Sequence, residues 1–384
     1  MAGGDLQASD ALVAVPLAAT VALAVALVVV TGLWLRERRA ARRYRALFET
    51  PRPQVPDHVP PAPATVRRQR AAVVVNLSKF SDLDPAAQLR RQAYVDAAFR
   101  QHGWEEPLWL RTTPTEHGAE QAREALAAGV DVVVACGGDG TVRSVAEALA
   151  GTGVPMGVLP AGTANLLARN LDLPHTDLAR ALDVVFSAPD QPVDVGWLEV
   201  DRTGSDPVPE RHLFLVMAGL GFDAAVMAGV EDRLKRRLGY GAYVVSGARA
   251  LWGPQARAGV RVDDGPWHQV RTRGVIVGNC GKLTRNLVLM PDAEIDDGYL
   301  DAVVLSPRGG IGWGEVAWAI LTRDRRGQRR VQHLRGRTVE VRLEAPQEVE
   351  LDGDPVGAAR RVSVAVDPGV LLVRAHPWPR TARR

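Results

Sequence analysis

Between residues 70 and 195, short β-branched runs alternate with apolar residues at helical spacing, and that alternation leaves few folds open to the chain. Residues 71–76 read as a strand, 88–101 as a helix, 108–110 as a short strand and 116–128 as a second helix. A valine run over 130–136, a helix over 142–150 and a strand over 156–160 continue the pattern. Strand then helix, repeated, predicts a parallel sheet with helices on both faces, because parallel strands are buried on both sides. Ligands of such sheets bind where loops leave the carboxyl ends of the strands. At 384 residues the chain exceeds what one growing core accommodates, so a second domain is expected. With 24% charged and 46% hydrophobic residues, the composition is that of a folded protein and excludes a disordered chain.

The loop after the valine run is Gly137-Gly138-Asp139-Gly140-Thr141. Glycines there predict a tight turn, with φ values that other residues avoid, and a backbone that approaches a phosphate closely enough for its amides to donate. The positive end of the following helix adds to that field. A glycine turn between strand and helix also has a purely structural reading. A second loop, Leu159-Pro160-Ala161-Gly162-Thr163-Ala164-Asn165, again follows a strand and precedes a helix, and brings Gly162, Thr163 and Asn165 to the same crevice.

After Gly196 the texture changes to short apolar runs separated by Gly, Pro and Asp, with a helical insert over 224–251. This predicts a mostly β domain, a sandwich or partly closed sheet. Only two cysteines, Cys136 and Cys280, are present, so neither a disulfide framework nor a paired zinc site is supported. The eight histidines lack metal-ligand spacing. Trp313 and Trp318, near the basic stretch 323–330, are candidates for a membrane interface, against a solvated basic loop.

Residues 11–35 carry no charge and are mostly Ala, Val and Leu; at about 1.5 Å per residue they span a hydrocarbon core of roughly 30 Å. A transmembrane helix is expected rather than a secretory signal, because Asp5 and Asp10 precede the run and no Lys or Arg does. Arg36, Arg38, Arg39, Arg42, Arg43 and Arg45 follow it, which places the body on the cytoplasmic side of the cell membrane, single-pass. The same arginines either set topology alone or bind an anionic membrane surface. Six prolines between Pro51 and Pro63 make the next stretch an extended tether.

Gly-Gly-Asp-Gly-Thr followed by Pro160-Ala161-Gly162-Thr163-Ala164-Asn165 resembles the catalytic domain shared by diacylglycerol kinases, sphingosine kinases and bacterial lipid kinases. The first motif alone also resembles NAD kinases. The likeness extends through Asn76-Leu77-Ser78-Lys79, where Leu77 stands in place of the family's proline, and through 218–224, 234–239 with Tyr243, 277–279 and 290–301. It ends at Leu351-Asp352-Gly353-Asp354, where Asp354 replaces the family's glutamate. The resemblance implies ATP and Mg²⁺ as cofactors. It places ATP against Asn76, Ser78, Thr113, Gly137, Gly138, Asp139, Gly140, Thr141, Val142, Arg143, Gly162, Thr163 and Asn165. Asp139 is implied to partner the nucleotide's Mg²⁺ through water. A metal is implied at Glu294, Asp297 and Tyr299, the flanking two contributing mainly backbone oxygens; a structural turn is the alternative reading of that loop. Asp352, with Asp354 beside it, is implied as the catalytic acid pair, Asp352 taking the lipid hydroxyl's proton.

The expected fold class is α/β: a transmembrane helix, an α/β parallel-sheet nucleotide domain and a mostly β, sandwich-like domain. The expected boundaries are 1–49 for the anchor with its basic flank and 50–69 for the linker. They continue with 70–195 for the ATP-binding domain, 196–377 for the lipid-binding domain and 378–384 for a basic tail. The expected activity is transfer of the γ-phosphate of ATP to a hydroxyl of a membrane lipid such as diacylglycerol, with no nucleic-acid partner; a homodimer is compatible with the resemblance. A kinase of a soluble acceptor and a non-catalytic nucleotide- or lipid-binding regulator are the competing readings.

Overall fold

The computed structural model describes residues 67–80, 84–221, 255–283, 288–307, 312, 316 and 331–378. The expected membrane helix at 11–35, most of the tether, the helical insert at 224–251, Trp313, Trp318 and the basic stretch 323–330 lie outside the described residues. Among those described, no helix is long and apolar enough to cross a membrane.

The first half is the predicted alternation. Strand β1 (Ala71–Val75) is followed by α1 (Pro85–Gln101), β2 (Leu108–Arg111), α2 (Ala119–Ala127), β3 (Val132–Gly137) and α3 (Asp139–Leu149). Strand β4 (Met156–Pro160) and helices α4 (Leu166–Asn170) and α5 (Leu178–Ser187) complete it. The four strands pair in parallel in the order β2, β1, β3, β4, with Val73 between Trp109 and Val134. Every residue of β1, β3 and β4 is buried, which is why they read as unbroken apolar runs rather than alternating ones. Helix α1 starts earlier than its apolar spacing suggests, because Asp84 accepts the amide of Ala87 at 2.6 Å and Pro85 occupies the first turn.

The second half contributes β5 (Asp190–Asp201), β6 (Glu210–Phe214), β7 (Met217–Leu220), β8 (Ala256–Val262) and β9 (His268–Thr272). It continues with β10 (Gly274–Gly278), β11 (Leu300–Leu305), β12 (Val331–Gly336), β13 (Thr338–Leu351) and β14 (Asp354–Arg374). Its pairings are antiparallel, along β12, β11, β10, β7, β13 and β14, with β8–β9 and β5–β6 branching off. Strand β14 leaves the hairpin at Asp354, pairs with β13 and β5, and then pairs Val373 with Met156 of β4, in parallel. The two halves therefore share one hydrogen-bonded sheet of fourteen strands. Strand β5 also serves both: Val193 and Val195 pack in the core of the first half, Leu198 and Val200 in that of the second. The expected boundary at 195/196 falls inside that strand.

Candidate active site

The carboxyl ends of β1, β3 and β4 open onto a cleft of roughly 1120 Å³, closed on its far side by the β13–β14 hairpin. Asn76, at the end of β1, organises its own turn. Its amide bonds Cys136 O, its Nδ2 donates to Thr141 Oγ1 at 3.2 Å, and its Oδ1 accepts from Ser78 N and Ser78 Oγ. The turn therefore closes with Leu77 in the proline position. Thr113 also lines the cleft, its hydroxyl accepting the Glu116 amide at 2.9 Å.

The two glycine loops lie against each other. None of Gly137, Gly138 and Gly140 adopts a positive φ, and Gly138 sits at −90°, so the expectation of left-handed glycines is corrected. Their requirement is space: a Cβ on Gly162 would lie 2.7 Å from Gly138 Cα, and one on Gly137 would lie 2.6 Å from the Thr141 side chain. Helix α3 begins at Asp139, inside the loop and ahead of the expected 142, and Gly138 at its N-cap offers no side chain to the first amides. Those donors remain for an anion.

Asp139 ties the loops together. Its carboxylate accepts Asn165 N at 2.9 Å and Leu166 N at 2.5 Å, which supplies the start of α4 with the cap that Asn165 does not give it. Asn165 itself is left-handed, at φ +47°, a conformation its short amide tolerates, and its side chain bonds both N and O of Gly162. Burial, joined by the carboxylates of Asp352 and Asp354, pushes Asp139 up to about 6 against the two amides.

The hairpin supplies the other wall. Asp352 has φ +50° and is buried; its Oδ1 accepts the amides of Val216 and Met217 at 2.9 Å and its Oδ2 that of Leu215 at 3.3 Å. Burial raises its carboxyl, while Arg143 and the three amides oppose the rise. Arg143, on α3, spans the cleft: Nη1 donates to Leu351 O at 2.7 Å, Nη2 donates to Asp354 Oδ2 at 2.9 Å, and Nη1 lies 3.9 Å from Asp352 Oδ2. Asp354, one methylene shorter than glutamate, thus reaches a guanidinium.

Asn76, Ser78, Thr113, Gly138, Asp139, Gly140 and Thr141 line this one cleft, as do Arg143, Gly162, Thr163, Asp352 and Asp354. Gly137, Val142 and Asn165 stand behind its wall, Val142 turned into the core. Sequence reasoning did not select His117, Met217, Leu283 or Glu350, which also line it. Glu350 stood two residues from a chosen acid, but nothing in its local pattern marked it as buried.

Glu294, Asp297 and Tyr299 do not line the cleft. Asp297 is ion-paired with Arg335 and accepts the amide of Tyr299, whose ring lies under Arg335 and Arg337 at 4.7 and 5.6 Å. The Asp297 carboxylate is thus engaged by a guanidinium, and among the described residues no three acidic, His or Cys side chains converge on a metal-sized site.

A parallel sheet joined through shared strands to an antiparallel domain, with two glycine-rich loops facing an acidic hairpin, defines a two-domain α/β kinase fold. Residues 87–198 match the model of the diacylglycerol kinase catalytic domain, and residues 216–375 that of the YegS C-terminal NAD kinase beta sandwich-like domain. A probable lipid kinase YegS-like protein of Pseudomonas putida is 36% identical over 267 residues, covering 68% of this chain and 82% of the relative. A diacylglycerol kinase of Bacillus subtilis is 27% identical over 68% of this chain and 83% of its own length. A solved structure of a putative diacylglycerol kinase from Bacillus anthracis shares the fold, with a TM-score of 0.62, 20% identity and coverage of 82% of this chain and 99% of that one. The chain belongs to the diacylglycerol kinase-like family of lipid kinases and is a kinase; the family implies ATP as phosphate donor.

Proposed function

We propose that this protein transfers the γ-phosphate of ATP to a hydroxyl of a membrane lipid, diacylglycerol or a similar alcohol, with Mg²⁺ arriving on the nucleotide. The observation that carries the reading is the single cleft with two unlike walls. One wall offers glycine-loop amides and the open end of α3; the other offers buried carboxylates and the apolar side chains of Met217 and Leu283. The nucleotide phosphates occupy the first wall, in contact with Ser78, Gly138, Gly140 and Thr163. Asp352 receives the proton of the acceptor hydroxyl. The acceptor oxygen then forms its bond to the γ-phosphorus, and the P–O bond to ADP breaks, ADP keeping the electron pair. Burial raises the basicity of Asp352, and the three amides hold it in register. Residues 11–35 and the arginines after them would keep the enzyme beside its substrate at an anionic membrane surface, raising the effective concentration without added contacts.

The test is transfer of labelled γ-phosphate to lipids extracted from membranes, with Asp352→Asn as control. A labelled lipid that disappears in the control supports the reading and names the substrate. ATP binding without any labelled lipid sinks it and points to a soluble acceptor or a regulatory role.

A further inference from the structure

Glu350 is a carboxyl group of the cleft wall to which this reaction scheme gives no task. It lines the cleft, yet it is only 3% exposed, and its Oε2 has no hydrogen-bond partner among the described residues. The strands beside it supply none: β7 puts Gly219 opposite it and β14 puts Pro355. The close packing is built in, since a Cβ on Gly219 would lie 2.6 Å from Glu350 Oε1. Lys79, His117, Asp139, Arg143, Asp352 and Asp354 are the titratable groups on the surrounding cleft wall, and none of them reaches Oε2.

An isolated carboxylate in such a place is costly, so the group holds its proton to a higher pH than an exposed glutamate does. Burial pushes Glu350 up to about 7. A neutral acid brings a hydrogen-bond donor and no negative charge to a site where phosphate charge must be accommodated. The other acids have tasks: Asp139 caps α4, Asp354 pairs with Arg143, and Asp352 is held by three amides.

Resting on the kinase reading above, we propose that Glu350 binds the acceptor alcohol, donating its carboxyl proton in a hydrogen bond to a second oxygen of that alcohol, next to the hydroxyl that takes the phosphate. The acceptor class is therefore an alcohol with an oxygen on the neighbouring carbon, as in a glyceride. A plain long-chain alcohol leaves the acid unpartnered and is rejected, as sites built around a buried polar group reject analogues lacking its mate.

The experiment compares wild type, Glu350→Gln and Glu350→Leu on dioctanoylglycerol in mixed micelles, with 1-decanol as the plain alcohol. In wild type the KM for dioctanoylglycerol rises between roughly pH 6 and pH 8 as the acid ionises. Glu350→Gln keeps a donor and loses that pH dependence. Glu350→Leu raises the acceptor KM about tenfold or more, leaves the KM for ATP alone, narrows the preference over decanol and does not lower the melting temperature. A purely structural role would not separate the two KM values. Wild-type acceptor KM in Glu350→Leu, or a wild-type pH profile in Glu350→Gln, overturns the assignment. Calorimetric binding of dioctanoylglycerol beside a non-hydrolysable ATP analogue makes the same comparison without turnover. Absent transfer thus breaks the kinase reading, whereas equal binding by wild type and Glu350→Leu breaks the role of Glu350.

Discussion

Two acidic regions of this molecule neutralise their carboxylates by opposite means. In the loop before β11, Asp297 is bound by the Arg335 guanidinium, and Tyr299 is stacked beneath two arginines. In the cleft, Asp139 and Asp352 are held by backbone amides and Glu350 by nothing among the described residues. A guanidinium carries a full charge and a fork of donors that meets a carboxylate directly. Amides contribute only partial charge, so burial raises Asp139 and Glu350, and raises Asp352 even with Arg143 opposing it. The first arrangement makes a fixed corner of the structure; the second leaves protons that can move.

The largest expected effect that tests this contrast is at Asp352. Asp352→Asn should lower kcat for phosphate transfer about 100- to 10,000-fold while far-ultraviolet dichroism stays native. A drop below tenfold would show that the amide-held acid is a fixture like Asp297. Next comes the pH dependence of stability at Glu350. Its folded pKa, about 7, lies above the ordinary 4.5, so its contribution is fully present below pH 4.5 and is lost as pH rises through 7. Relative to Glu350→Gln, wild type should lose on the order of 3 kcal/mol of unfolding free energy over that window, measured by urea titration. Parallel curves for the two proteins would mean that Glu350 is not a buried neutral acid.

Arg143→Met should lower kcat about tenfold by freeing the hairpin from α3. A change confined to the KM for ATP would make Arg143 a nucleotide ligand and not a clasp. The smallest effect is expected at Asp297. Asp297→Asn should cost about 1 kcal/mol in stability and leave turnover unchanged, because the Arg335 side of the pair is a third open to solvent. Lost activity that excess Mg²⁺ restores would instead put a cation in that loop.

The first half of the fold was legible because buried parallel strands write themselves as valine runs, and because the two glycine loops sit at their carboxyl ends. What those glycines do was not legible: close approach between 138 and 162 is a contact between loops, and no local pattern distinguishes it from a left-handed turn. Arg143 was selected for a phosphate, while its partners Leu351 and Asp354 lie 208 and 211 positions further along. Pairings at that range leave no periodic trace. Nor does the start of α1 follow from apolar spacing, since the Asp84 cap and not a hydrophobic residue fixes it. Glu350 escaped notice because a glutamate in a polar-looking strand, Glu348-Val349-Glu350, reads as solvent-facing until Gly219 is seen opposite it.

In mechanical terms, β14 is one inextensible member common to both halves: it starts at the cleft hairpin and ends beside β4. A rigid rotation of one half about a linker would have to tear that ladder. The compliance lies where the register with β5 slips between Asp367 and Leu371, at Gly369, whose φ is +62° and whose amide is held by Asp194. Any closure of the cleft would therefore have to be a torsion about this point. Ligand-dependent amide exchange should concentrate at residues 368–370 and spare Val362–Val366; uniform change along the strand would replace torsion with a hinge elsewhere.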